Sequence, residues 1–126
     1  MQNLFLEATK HSPLVSFDSK TGLLELRGGS IPEDTYKFYE PLIDWIETYV
    51  ESPQPKTELA IHLTYFNTSS SKQILELFRK LEPIHKSGLE ILIKWFYDAE
   101  EDDMLEAGED YESIVKVPFQ MVEIIE

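Results

Sequence analysis

Cysteine is absent from all 126 residues, which removes disulfide frameworks, thiolate nucleophiles and zinc-thiolate centres together. Basic residues are scarce. Eleven Lys and Arg stand against twenty-four Asp and Glu, a net charge of -13, which disfavours nucleic-acid backbones and anionic membranes and favours basic protein partners. Long apolar runs are missing too: residues 89–97 are interrupted by Glu90 and Lys94 and are far too short to span a bilayer. The N-terminus has no basic segment leading into an apolar stretch, so a cytoplasmic protein is expected. Glycine numbers five, and Arg27-Gly28-Gly29-Ser30 matches neither a Walker loop nor a dinucleotide fingerprint; it reads as a turn into a helix. His11, His62 and His85 lack metal-ligand spacing, so no metal or cofactor is expected.

What remains, at 42% apolar residues, fits one compact domain over residues 1–126. Residues 4–8 and 15–17 read as short strands around Pro13, and 22–29 as a third, with hairpin-turn chemistry in Asp18-Ser19-Lys20-Thr21-Gly22. Ser30-Ile31-Pro32-Glu33-Asp34 announces a helix, with Ser30 as its cap and Pro32 in the first turn. Its apolar face is Phe38, Leu42, Trp45, Ile46 and Tyr49, and Pro41 is expected to kink or split it. After Ser52-Pro53-Gln54-Pro55, residues 57–66 form a strand. Its two faces, Leu59/Ile61/Leu63/Tyr65 and Ala60/His62/Thr64/Phe66, are both largely apolar, which predicts a central strand covered on two sides.

A helix over 73–84 follows, with Ile74, Leu77, Phe78 and Leu81 on one stripe, then a stop at Lys86-Ser87-Gly88. Next come a strand over 89–97 and an acidic loop with a short helix near 104–114. The last strand spans 117–125, and Pro118 places it at an edge or delays its start. The expected fold is α/β: a mixed sheet of five to six strands with an N-terminal antiparallel hairpin, two main helices and a short third.

The most informative stretch is Asn67-Thr68-Ser69-Ser70-Ser71-Lys72, four consecutive hydroxyls between an apolar strand and a helix. Such residues cap helices, and the same unpaired amides and dipole attract phosphate. The corner is therefore a cap, an anion site or a phosphorylation switch. Asn67-Thr68-Ser69 also fits a glycosylation sequon, discarded for want of a leader. Residues 56–94 carry six bases and four acids, +2 against -15 for the rest, so the corner lies in the least acidic part of the chain. Residues 98–112 hold nine acids and no base, a solvated loop or helix face, or a docking patch for a basic partner. His62, inside a strand, reads as a satisfied core histidine. Two rivals to a switch remain. One is a small enzyme using His62 with a carboxylate such as Asp98 on a cationic substrate; the other is a constitutive acidic inhibitor or nucleic-acid mimic built on residues 98–112.

Leu4-Phe5-Leu6-Glu7-Ala8-Thr9, Val15-Ser16-Phe17-Asp18 and Thr21-Gly22, then Gly28-Gly29-Ser30-Ile31-Pro32-Glu33-Asp34 running into Phe38-Tyr39-Glu40-Pro41, resemble the SiaC family of bacterial regulatory phosphoproteins. So do Tyr65-Phe66-Asn67-Thr68-Ser69-Ser70-Ser71-Lys72 and Asp102-Asp103-Met104-Leu105-Glu106-Ala107-Gly108-Glu109-Asp110-Tyr111. The resemblance covers essentially the whole chain. It implies a fold similar to STAS-type anti-sigma-factor antagonists, no enzymatic activity, and phosphorylation of Thr68 by a dedicated kinase and its reversal by a phosphatase. It also implies that the unmodified form binds a diguanylate cyclase, in cyclic-di-GMP signalling. Asn67, Ser69, Ser70, Ser71 and Lys72 would shape the corner, and Asp102, Asp103, Glu106, Glu109 and Asp110 are the docking-patch candidates. A phosphate on Thr68 is expected to add about -1.5 to -2 charge beside the amides of Ser70 and Ser71 and the Lys72 ammonium.

Overall fold

The structure, a computed structural model, describes residues 1–125; Glu126, the last residue of the expected domain, lies outside them. One sheet follows the order of the chain: β1 (Leu4–Leu6), β2 (Leu14–Phe17), β3 (Leu23–Ser30), β4 (Lys56–Phe66), β5 (Glu90–Asp98) and β6 (Phe119–Ile124). β1 to β3 pair antiparallel and β3 to β6 parallel. The parallel pairs follow from the crossovers α1 (Thr35–Tyr49), α2 (Thr68–Lys86) and α3 (Asp102–Ile114). This is the expected mixed sheet, with its N-terminal hairpin and three helices. The hairpin turns on Asp18, whose carboxylate accepts from the Lys20 amide at 2.8 Å, and on Gly22 at φ 77, where an added Cβ would run into the Lys56 carbonyl.

All three helices cover one face. Leu24, Leu26, Leu59, Ile61, Leu63, Ile91, Ile93 and Trp95 alternate inward and pack with Tyr39, Leu42, Ile46, Ile74, Leu77, Phe78, Leu81 and Tyr111 in a single cluster. The strand order never reverses, and crossovers of one hand then keep every helix on the same side. The opposite face carries Glu25–Arg27 and Glu58–Lys94 ion pairs at 2.7 and 3.2 Å. The expectation that β4 is covered on two sides is therefore corrected: β4 is central, but one of its faces is open. His62 is corrected with it, from a core residue to a half-buried one on that open face. The register shifts between Gly28 and Gly29, so that Gly29 stands opposite Tyr65 and Ser30 opposite Phe66. This bulge exchanges the facing of the last two residues of β4. Tyr65 goes to the open side over Gly29, and Phe66 turns inward against Trp95.

Three helix expectations change. α1 begins at Thr35, capped by the Asp34 carboxylate accepting from the Lys37 amide at 3.0 Å, and Ser30 belongs to β3. Pro41 does not split α1, which runs unbroken to Tyr49, and Tyr39 rather than Phe38 is its fully buried aromatic at that turn. α2 starts at Thr68, five residues before position 73, because Asn67 is its cap. β6 starts after Pro118, at the sheet edge.

Candidate functional site

The hydroxyl corner forms where β4 ends beside the end of β3. Asn67 turns the chain: its amide donates to the Ser30 carbonyl at 3.2 Å, its carbonyl accepts from the Ser71 amide at 3.0 Å, and its side-chain oxygen accepts from the Ser70 amide at 2.8 Å. Both amides expected beside a Thr68 phosphate, those of Ser70 and Ser71, are thus already paired. Within the corner, the amides of Thr68 and Ser69 have no protein partner among the described residues.

The four hydroxyls separate by role. Ser70 is fully buried, and its hydroxyl donates to the Ser30 carbonyl at 2.9 Å. It also lies 2.9 Å from the Ser30 hydroxyl, which is 2.6 Å from the Tyr39 hydroxyl. Burial pushes the Tyr39 phenol up to about 12, outweighing the bonds to Ser30 and Ser70. Ser69 pairs with the Thr35 hydroxyl at 2.9 Å, so the first turns of α1 and α2 meet and both positive dipole ends face this corner. Ser71 donates to the Thr68 carbonyl at 2.7 Å. Thr68 is exposed, and its hydroxyl has no protein partner among the described residues. Lys72 is also exposed, one turn further on.

The acidic segment is mostly helix. Asp102 and Asp103 occupy the first turn of α3, where the dipole favours them. Tyr111 ties α3 to the corner by donating to the Ser71 carbonyl at 2.8 Å, and burial raises its phenol well above the ordinary range. Asp110 shares a groove with Ser71 and Lys72. Glu106 and Glu109 are exposed, while Asp102 and Asp103 begin about 12 Å away along the helix axis. One helix thus carries all five acids, and Asp110 is the one placed beside the corner.

His62 Nε2 lies 3.5 Å from Asp98 Oδ1 on the open sheet face. The cleft beside Asp98 is lined by Ala99, Glu100, Glu101, Ile124 and Ile125, without His62. Among the described residues no group of three or more His, Asp and Glu could hold a metal ion, and no helix is long and apolar enough to cross a membrane. Ser30, Tyr39 and Thr35 are the residues of the candidate site that sequence reasoning did not place there. The signal for Ser30 was present: it continues the inward alternation of Leu24 and Leu26.

These features define a small α/β regulatory domain in which an exposed hydroxyl opens a helix over a buried hydroxyl network. The chain belongs to the SiaC family of regulatory phosphoproteins, which it matches over residues 6–124. An uncharacterized protein of Pseudomonas aeruginosa strain UCBPP-PA14 is 31% identical over 119 residues, 94% of each chain. The crystal structure of apo-SiaC from Pseudomonas aeruginosa superposes with a TM-score of 0.89 at 30% identity, over 97% of this chain and 99% of that one. SiaC in complex with the diguanylate cyclase SiaD, which it activates, superposes with a TM-score of 0.90 at 30% identity, over 96% and 99%.

Proposed function

We propose that this chain is a noncatalytic cytoplasmic partner switch, a single domain over residues 1–126, phosphorylated on Thr68 by a cognate Ser/Thr kinase and restored by a phosphatase. Unphosphorylated, it binds an effector, a diguanylate cyclase by analogy with the SiaD bound by the Pseudomonas aeruginosa SiaC. The supporting observation is the division of labour at the corner: the hydroxyls of Ser69, Ser70 and Ser71 are engaged in hydrogen bonds, while Thr68 is exposed and its hydroxyl has no protein partner among the described residues.

A phosphate on Thr68 would add about -1.5 to -2 charge beside the unpaired amides of Thr68 and Ser69 and the Lys72 ammonium. The dipole contributes roughly 0.3 to 1 kcal/mol in its favour, so the fold tolerates it. An effector that covers the same corner with neutral or acidic groups instead desolvates a charge, and a loss of about 2.7 kcal/mol weakens binding on the order of a hundredfold. Incubation with the kinase and ATP, followed by mass spectrometry, is expected to map the phosphate to Thr68. Modification that persists in Thr68→Ala would overturn the assignment.

The His62–Asp98 approach at 3.5 Å favours one second reading, a small enzyme acting on a cationic substrate through His62 and Asp98.

A further inference from the structure

A groove of about 280 Å³ runs between α2 and α3, next to the corner. Phe66, Leu75, Ala107 and Ile114 supply its apolar lining, with Lys72 and Asp110 beside them. Phe66, Leu75 and Ala107 are half-buried and Ile114 is 53% exposed. α3 therefore presents two stripes. Gly108 and Tyr111 are buried, Tyr111 at the floor of the groove, whereas Ala107, Asp110 and Ile114, at i, i+3 and i+7, lie along it. The second stripe is about 10 Å long, two helical turns.

Charge decides what fits. Residues 98–112 carry nine acids and no base, so an apolar segment entering the groove passes an acidic helix on one side. An amphipathic partner helix with apolar residues at i, i+4 and i+7 and Lys or Arg on the flank facing α3 complements both the lining and the charge. The groove between α1 and α2 is acidic as well, through Glu40, Asp44, Glu47 and Glu76, but its lining is apolar only at Tyr36 and Ile43, and the ion pairs of the open sheet face are balanced within themselves. Thr68 is exposed and is not among the groove-lining residues.

We propose that the α2–α3 groove docks a basic amphipathic helix of a partner protein and leaves the Thr68 hydroxyl uncovered while it is bound. Within the switch described above, on which this step rests, that geometry suits the enzyme that modifies Thr68. The effector must instead cover the corner to sense the phosphate.

The test titrates the isotope-labelled full chain with a Leu/Lys amphipathic peptide of about 18 residues, and with a scrambled peptide of the same composition, followed by amide NMR. The amphipathic peptide is expected to shift Phe66, Leu75, Ala107 and Ile114. Ile114→Lys, at an exposed position that the fold tolerates, should weaken it about tenfold, with Asp110→Lys acting in the same direction. Thr68→Asp should change its affinity less than about threefold. Equal binding of the scrambled peptide, shifts that spare the groove, unchanged affinity in Ile114→Lys, or tenfold loss in Thr68→Asp would each overturn the proposal. Phosphate mapped to another residue would end the switch reading and leave the groove result standing; a peptide that avoids the groove would do the reverse.

Discussion

The hydroxyls of Ser30 and Ser70 lie 2.9 Å apart although the residues are 40 positions apart in sequence, and both are fully buried. Ser70 also donates to the Ser30 carbonyl, so the end of β3 and the first turn of α2 are joined twice at one point. Ser70→Ala removes one of the two donors to the Ser30 carbonyl, which keeps the Asn67 amide, and deprives the buried Ser30 hydroxyl of its Ser70 partner. It is expected to cost about 1–3 kcal/mol in urea unfolding. Ser71→Ala removes only a local bond within α2 and should stay within about 0.5 kcal/mol. Equal losses would mean that the buried network adds nothing.

Tyr39 sets an alkaline limit on stability. Its phenol is pushed up to about 12 by burial, whereas in the unfolded chain a tyrosine ionises near 10. Between these values the unfolded state gives up a proton that the native state keeps. Stability is therefore whole below about pH 10 and falls as pH rises towards 12, by about 2–3 kcal/mol at most. Tyr111, raised for the same reason, adds a loss of the same sign. Tyr39→Phe should flatten the slope of unfolding free energy against pH across this window. An unchanged slope would mean that native Tyr39 ionises like a free phenol.

Much of this fold was legible because periodicity survives in sequence. The stripe Ile74, Leu77, Phe78 and Leu81 and the Gly22 turn appear where their patterns place them. What was hidden depends on partners distant in sequence. Ser30 looked like a helix cap because hydroxyls before Pro commonly are; only its pairing with Tyr39 and Ser70 makes it a buried strand residue. The second face of β4 looked coverable because Ala60 and Phe66 are apolar. The bulge at Gly28 and Gly29 turns Phe66 to the other side, an effect that alternation within β4 alone does not contain. Thr68 differed from its three hydroxyl neighbours only by resemblance until their partners were seen.

Two glycines should respond differently to alanine. At Gly108 an added Cβ would stand 2.5 Å from the Trp95 indole. That ring is 1% exposed and fixed by its Nε1 donating to the Met104 carbonyl at 2.8 Å. Gly108→Ala is expected to cost about 1–3 kcal/mol through overpacking, despite the gain of up to about 1 kcal/mol in helix propensity. At Gly29 the added Cβ meets the Tyr65 ring, but Tyr65 is 45% exposed and can swing outward. It then gives up its bond to the Lys10 carbonyl, at about 0.5–1.5 kcal/mol. Thermal or urea melts of both variants check the order, and a costlier Gly29→Ala would refute it.

Thr68→Asp, His62→Ala and added salt together separate the switch from its rivals. Asp at 68 brings one negative charge to the corner and is expected to weaken effector binding at least about tenfold, some 1.4 kcal/mol. His62 lies on the open face away from the corner, 3.5 Å from a half-exposed Asp98, so His62→Ala should leave effector binding within about twofold. An enzyme built on His62 and Asp98 predicts the opposite pattern, with loss on His62→Ala and indifference to Thr68→Asp. A constitutive acidic mimic predicts indifference to both, with affinity falling steeply between low and physiological salt as the charges of residues 98–112 are screened. Binding measured by calorimetry at two ionic strengths for the three proteins yields a different pattern for each reading, because a desolvated charge at Thr68 is far less screened than an exposed acidic helix.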